Sequence, residues 1–156
     1  MPLYHATLNS YSIGETIEAK VESTFYPDAV ERLEATKPAD APSRAICLFA
    51  SESLDFCYLF ALKQQWSRES IKLYEVEMPS HHHAPMAIVH AIQKKLESGK
   101  PSAKAESEYW DPTQSWKFVE TFGPTMTIVR KMQAPSINEL ILSTMYYSEA
   151  DRASAL

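Results

Sequence analysis

The amino-acid sequence predicts one α+β domain over residues 1–156, with a mixed or antiparallel sheet and flanking helices. The chain has 156 residues, the size of one ordinary domain, and 45% of them are hydrophobic, which is enough for one core. Short segments with strand periodicity alternate along the chain with segments of helical periodicity. The turn residues between them do not favour the regular crossovers of a parallel sheet, so we expect α+β organisation.

Several segments have strand patterns. The clearest is 71–78, in which apolar and polar residues alternate strictly. The run 45–50 is continuously apolar, which is typical of a strand buried on both faces. Segments 2–7 and 125–130 are predicted as further strands, and 17–21 as a brief extended piece that follows a turn.

Four helices are predicted from helical periodicity and from end signals. Pro27 stands at the first position of the first helix, where its missing N–H removes no intrahelical bond. Ser51 can cap the second helix, and Gly99 closes the third. The four predicted helices are 28–35, 54–62, 86–96 and about 136–150.

Composition excludes several classes of function. A net charge of −5 argues against a basic nucleic-acid-binding surface. The only glycines are Gly14, Gly99 and Gly123, too far apart for a phosphate-binding loop or a dinucleotide-binding fingerprint. No apolar run approaches the roughly 20 residues that span a bilayer, and residues 1–10 lack a signal-peptide pattern. We therefore expect a cytoplasmic protein without membrane contact.

Two clusters suggest a ligand. His81-His82-His83 invites a metal interpretation, but adjacent side chains on an extended backbone point to opposite faces, and no Cys or carboxylate lies at ligand spacing. We expect this segment to be a loop and expect no metal site. Tyr109, Trp110 and Trp116 are suited either to stack on a base or an adenine, or to form part of the core.

The first predicted strand contains an aromatic residue, a histidine and a small residue in succession. This strand and three later segments, taken in order, resemble the rifampin ADP-ribosyltransferases and, more widely, the His-Tyr-Glu branch of the ADP-ribosyltransferase superfamily. The similarity covers most of residues 1–130. The segments are Tyr4-His5-Ala6-Thr7, Ile13-Gly14-Glu15-Thr16-Ile17, Ile46 to Glu52, and Asp111 to Lys117 followed by Glu120.

The resemblance implies a split sheet of the ADP-ribosyltransferase type, NAD as co-substrate and release of nicotinamide. It assigns His5 to donate a hydrogen bond to the nicotinamide ribose and Glu120 to stabilise the oxocarbenium-like transition state. Ala6 permits close approach of the cofactor. The other implied NAD-binding residues are Tyr4, Thr7, Arg44, Phe49, Ser51 and Tyr58.

Some of these roles have competing interpretations. Glu108, which precedes two aromatic residues, competes with Glu120 as the catalytic carboxylate, and a solvated strand-end glutamate is the alternative for Glu120. Arg44 is suited to hold the NAD pyrophosphate bidentately, or is simply a surface arginine.

The sequence also departs from the family pattern. Leu48 stands where the rifampin enzymes have a tyrosine, and Phe118 precedes Glu120 by two residues, where arginine-directed enzymes have Gln or Glu. We therefore expect a mono-ADP-ribosyltransferase that modifies a macromolecular acceptor, by default a protein side chain. Two alternatives stay open: a catalytically silent NAD-binding or protein-interaction module, and an NAD-hydrolysing toxin, delivered into a host cytosol if it is an effector. The sequence leaves the oligomeric state open.

Overall fold

The computed structural model describes residues 1–20 and 26–156, and within them the chain is α+β, with five helices and seven strands. The strands are β1 (Leu3–Thr7), β2 (Thr16–Glu18), β3 (Leu48–Ala50), β4 (Lys72–Glu77), β5 (His82–Pro85), β6 (Val119–Gly123) and β7 (Thr125–Met132). The helices are α1 (Pro27–Ala35), α2 (Leu54–Lys63), α3 (Met86–Glu97), α4 (Ala103–Trp110) and α5 (Glu139–Ser154). Val21, the end of the predicted extended piece, lies outside the described residues.

The described strands form two sheets. The first has the order β1-β4-β7-β2 and the second the order β3-β6-β5. Every pairing among these strands is antiparallel, so of the mixed or antiparallel arrangement that the sequence predicts, the described part of the chain has the antiparallel one. The sheets meet where Tyr4 of β1 forms an isolated antiparallel bridge with Ser51, just after β3.

Three apolar clusters hold these layers together. One lies between the sheets and includes Leu3, Tyr74 and Val76 of the first sheet and Ala50 of the second. A second covers the other face of the β3-β6-β5 sheet with α1, α3 and α4, and Phe122 lies in it, fully buried. A third packs α2 against the other face of the first sheet. Each sheet therefore has one face toward the other sheet and one face toward helices.

Several predicted elements are confirmed with small shifts of boundary. These are the strands at β1, β4 and β7 and the helices at α1, α2 and α3. The strand predicted over 45–50 is shorter, because the backbone N–H groups of Arg44 and Ala45 donate to the Glu34 carboxylate, the latter at 3.1 Å, rather than to a neighbouring strand. Ile46 is 43% exposed, so this segment is not buried on both faces.

Two helix boundaries differ from the prediction. Ser53, not Ser51, caps α2 by accepting the backbone N–H of Phe56 at 3.2 Å, while the Ser51 hydroxyl accepts the N–H of Ser53 at 3.1 Å. The last helix begins after Asn138, whose side chain caps it, and runs to Ser154. Within the described residues no helix is both long and apolar enough to cross a bilayer.

Three elements were not anticipated from the sequence. His82 and His83 lie in β5, so the prediction of a loop there is wrong. Helix α4 and strand β6 have no clear apolar periodicity, because each contains buried charged residues, among them Glu106 and Glu120. In both elements a charged residue occupies a core position, so the apolar residues do not recur at helix or strand spacing.

Candidate functional site

His5 lies between the two sheets. His5 is two residues after Leu3 along β1, so the two side chains share a face, and its cross-strand partner is Tyr74; this is the face that meets β3. His5 Nδ1 is 2.6 Å from the carbonyl oxygen of Phe49. Because a carbonyl only accepts, Nδ1 carries the proton and Nε2 is the acceptor of the neutral ring.

Burial lowers the pKa of His5, and the hydrogen bond to Phe49 opposes this only in part. The imidazole is therefore neutral at pH 7. In this tautomer His5 Nε2 can accept a hydrogen bond.

Backbone hydrogen bonds fix the position of His5 relative to β3. Tyr4 N donates to Ser51 O at 2.8 Å, and Ser51 N donates to Tyr4 O at 2.9 Å. With the His5–Phe49 bond, these contacts form what we call the β1–β3 junction, made of Tyr4, His5, Phe49 and Ser51. The junction brings together the backbones of four of the residues that the resemblance assigns to NAD, but the Tyr4 side chain packs under α2 and the Phe49 ring lies beside Arg44 on the helical side.

Other predicted NAD-binding residues lie away from the junction. Ala6 and Tyr58 belong to the cluster under α2, on the opposite face of the first sheet from His5. Tyr58 is only 3% exposed, and its hydroxyl accepts from Arg68 at 3.3 Å. Thr7 is buried at the end of β1, where its hydroxyl accepts the N–H of Asn9 at 3.0 Å. Tyr58 therefore does not reach the face where nicotinamide was expected.

Glu120 is close to the junction along the backbone. Ala50 of β3 pairs with Thr121 of β6, so the next antiparallel position sets Ser51 beside Glu120. Side chains alternate along a strand, however, and those of Glu120 and Thr121 point to opposite faces of the sheet. The Glu120 side chain is on the helical side, whereas His5 is on the side between the sheets.

The Glu120 carboxylate is enclosed and fully engaged. Its Oε1 accepts from Arg44 Nε at 3.0 Å and from the Tyr109 hydroxyl at 2.5 Å, and its Oε2 is 3.4 Å from Arg44 Nη2. Arg44 and Glu120 are 5% and 4% exposed, and the Arg44 guanidinium also lies 4.5 Å from the centre of the Phe49 ring. Neither the solvated strand-end glutamate nor the surface arginine is present.

The electrostatics follow from this enclosure. Burial disfavours the charge on Arg44, but the Glu120 carboxylate and the Tyr109 hydroxyl outweigh it and raise the Arg44 pKa. The pKa of Tyr109 is raised well above its ordinary value by burial and by Glu120. The three side chains thus form a buried ion pair that is hydrogen-bonded to a neutral phenol, on the helical side of β6.

Glu108, the competing carboxylate, organises the chain between α4 and β6. It accepts hydrogen bonds from the backbone and hydroxyl of Thr113, from the backbone of Gln114 and from the Trp116 indole at 2.9 Å. Burial alone would raise its pKa, but these bonds lower it to about 2. Trp116 and the neighbouring Tyr109 and Trp110 are at most 9% exposed, so this aromatic group belongs to the core.

A polar cluster that the sequence had not assigned lies on the other face of the second sheet. His83 Nδ1 is 2.7 Å from Thr121 Oγ1, and His83 Nε2 is 3.7 Å from Glu52 Oε1. The side chains of His83 and Glu52 are 41% and 45% exposed. Glu52 is therefore an accessible carboxylate directly after Ser51, on the side of the sheet that faces His5.

Only a weak signal for this cluster is present in the sequence. Glu52 ends one of the segments that resemble the family, and Thr121 and His83 each alternate with a residue of the opposite face. The pKa of His83 is lowered by burial and by His81 and is raised by Glu52, with a net lowering, so the ring is neutral at pH 7. Among the described side chains, no group of three or more His, Cys, Asp or Glu is placed to hold a metal ion.

Two cavities lie outside this region. One of about 530 Å³ lies beside Leu3, Met78 and His81, and one of about 320 Å³ lies between α1 and α4. None of the residues that the sequence assigned to NAD lines either cavity.

The chain was compared with known proteins at the level of families and of single sequences. No protein-family model matches it, and no curated protein matches it significantly. A functional assignment therefore depends on His5 at the β1–β3 junction and on the Glu52–His83 cluster.

Proposed function

We propose that this protein is an NAD-dependent mono-ADP-ribosyltransferase that transfers ADP-ribose to a protein side chain and releases nicotinamide. The observation that carries the proposal is the neutral His5, fixed by the Phe49 carbonyl at the point where the two sheets meet. An ADP-ribosyltransferase-like fold is part of the proposal, and the two antiparallel sheets joined at β1 and β3 support it.

The chemistry needs one well-placed acceptor and one carboxylate. His5 Nε2 accepts a ribose hydroxyl and so orients the sugar between the sheets. The bond between ribose C1′ and the nicotinamide nitrogen breaks, its electron pair leaves with nicotinamide, and positive charge develops on the ribose. A carboxylate near that charge stabilises the transition state.

Glu52 is the carboxylate that we assign to this role. It is accessible, it follows Ser51 of the junction, and it is on the sheet face toward His5. When the acceptor nucleophile adds to C1′, it loses a proton, and the neutral His83 beside Glu52 is available to take it. Glu120 and Arg44 have a structural role in this proposal: their ion pair links β6 to the segment before β3 on the helical side of the sheet.

Nicotinamide release from NAD tests the proposal. Glu52→Gln should lower release about 100-fold or more, because it removes the charge that opposes the developing cation. His5→Ala should lower release and weaken NAD binding together. Glu18→Gln, an exposed carboxylate on β2, is the matched control and should leave release unchanged.

The opposite pattern would reject this assignment. If folded Glu120→Gln loses release while Glu52→Gln keeps it, the catalytic carboxylate is Glu120. Release that needs no protein acceptor would identify NAD hydrolysis instead.

A second candidate is a catalytically silent NAD-binding or protein-interaction module. The observation that favours it is the engagement of Glu120, the carboxylate that the family resemblance implies, by Arg44 and Tyr109. NAD binding at the junction without release, with any acceptor, would establish this candidate.

A further inference from the structure

A groove between α1 and α4 is separate from the β1–β3 junction. Its volume is about 320 Å³, which is within the range of small-molecule sites. Arg32 and Thr36 line it from the C-terminal end of α1, and Glu106, Ser107 and Trp110 line it from one face of α4. This face follows from helical spacing, since residues three and four apart are neighbours on a helix.

Two buried polar atoms of the groove residues have no hydrogen-bond partner in the described part of the chain. They are Glu106 Oε1 and Trp110 Nε1, on side chains that are 2% and 7% exposed. The other carboxylate oxygen of Glu106 accepts from Ser102 Oγ at 2.6 Å and from Arg32 Nη2 at 3.3 Å. A buried polar group without a partner costs about 1–3 kcal/mol, so such atoms are uncommon in folded proteins.

The unpaired atoms are complementary in kind. Glu106 Oε1 only accepts a hydrogen bond and Trp110 Nε1 only donates one, and the two residues are four apart on α4. A ligand that satisfies both needs a donor next to an acceptor. A carboxylate lacks the donor and is repelled by Glu106, while an ammonium or amidinium group lacks the acceptor.

We propose that this groove binds a small, uncharged ligand through a carboxamide group. The amide N–H₂ donates to Glu106 Oε1, and the amide carbonyl accepts from Trp110 Nε1. The side chain of Arg32 is 50% exposed at the groove and keeps its contact with the other oxygen of Glu106. This site does not depend on the proposed ADP-ribosyl transfer.

Three probes of nearly equal shape test the proposal: benzamide, benzoate and benzamidine. The protein is ¹⁵N-labelled, and the indole N–H signals of its three tryptophans are followed during each titration. The Trp110→Phe spectrum identifies the Trp110 signal. Benzamide should shift that signal in a saturable way, and benzoate and benzamidine should not.

Variants locate the binding. Trp110→Phe keeps an aromatic ring but removes the donor, and it should weaken benzamide binding about five- to tenfold. Ser107→Phe fills the groove from an exposed helix position, spares the core and should abolish binding. His5→Ala should bind benzamide normally, because His5 is outside the groove.

Other outcomes overturn the proposal. Equal shifts of the Trp110 signal with all three probes would show that the groove does not select a carboxamide. Unchanged benzamide affinity in folded Ser107→Phe would show that benzamide does not bind in the groove. Binding lost in His5→Ala and kept in Ser107→Phe would place benzamide at the junction, which would support the proposed function while rejecting this site.

Discussion

Arg44 and Glu120 were each predicted to contact a ligand, but in the structure they bind each other. A glutamate just before a strand and an arginine after a proline-rich loop both suggest contact with a charged ligand. In the fold they neutralise each other, with the Tyr109 hydroxyl as a third partner. Sequence patterns indicated the position of Glu120 but not its face, because the strand that contains it, β6, was itself not predicted.

Glu120→Ala should destabilise the protein by about 3–5 kcal/mol, because it leaves the Arg44 guanidinium buried without its counter-charge. The double variant Glu120→Leu with Arg44→Met removes both charges and should recover most of that loss. Urea unfolding of the three proteins measures the difference. A cost below about 1 kcal/mol for Glu120→Ala would contradict the buried pair.

His5 illustrates the opposite case at the residue scale. The strand that contains His5 was predicted correctly from the residues around it, Tyr4 to Thr7. Its hydrogen bond to the Phe49 carbonyl was not predicted, because Phe49 is 44 residues away in sequence. A contact of that separation leaves no local signal.

At the scale of elements, Glu108 holds the segment between α4 and β6 in place through hydrogen bonds. Its carboxylate gathers donors from Thr113, Gln114 and Trp116. The connection therefore has a defined shape without regular secondary structure. Glu108→Gln tests this, since an amide keeps one oxygen but presents an N–H₂ to the remaining donors.

The effect of Glu108→Gln should depend on pH. The folded pKa of Glu108, about 2, lies below the ordinary value of 4.5, so its stabilisation is full above pH 4.5 and is lost as pH falls toward 2. The variant should be less stable by on the order of 2–3 kcal/mol at pH 7, with the difference shrinking below pH 4.5. Urea midpoints from pH 7 to pH 3 measure it, and a difference that does not vary with pH would be inconsistent with the bonded carboxylate.

Elements with clean periodicity were predictable, and those with buried polar groups were not. The alternation over 71–78 and the end signals of α1 and α3 led directly to the observed elements. Strand β5 was missed because its His-His-Ala-Pro sequence lacks β-forming residues, although it pairs fully with β6. Tertiary pairing, rather than local preference, determines that strand.

At the scale of the whole molecule, the two sheets touch through few backbone contacts and one apolar cluster. The Tyr4–Ser51 pair and the His5–Phe49 bond are at that contact. A ligand at the junction would therefore contact both sheets and stabilise their association. The sequence predicted an α+β domain and the first strand of this site, but not the order of the strands within the two sheets, which depends on long-range pairing.

The most direct test of the central claim is thermal unfolding with and without NAD, on the wild type beside His5→Ala and Glu18→Gln. Binding to the native state stabilises it by about 2.7 kcal/mol at 100 times Kd, so the wild type and Glu18→Gln should gain several degrees in Tm. His5→Ala should gain little or nothing. No gain in the wild type, or an equal gain in folded His5→Ala, would contradict an NAD site at the β1–β3 junction.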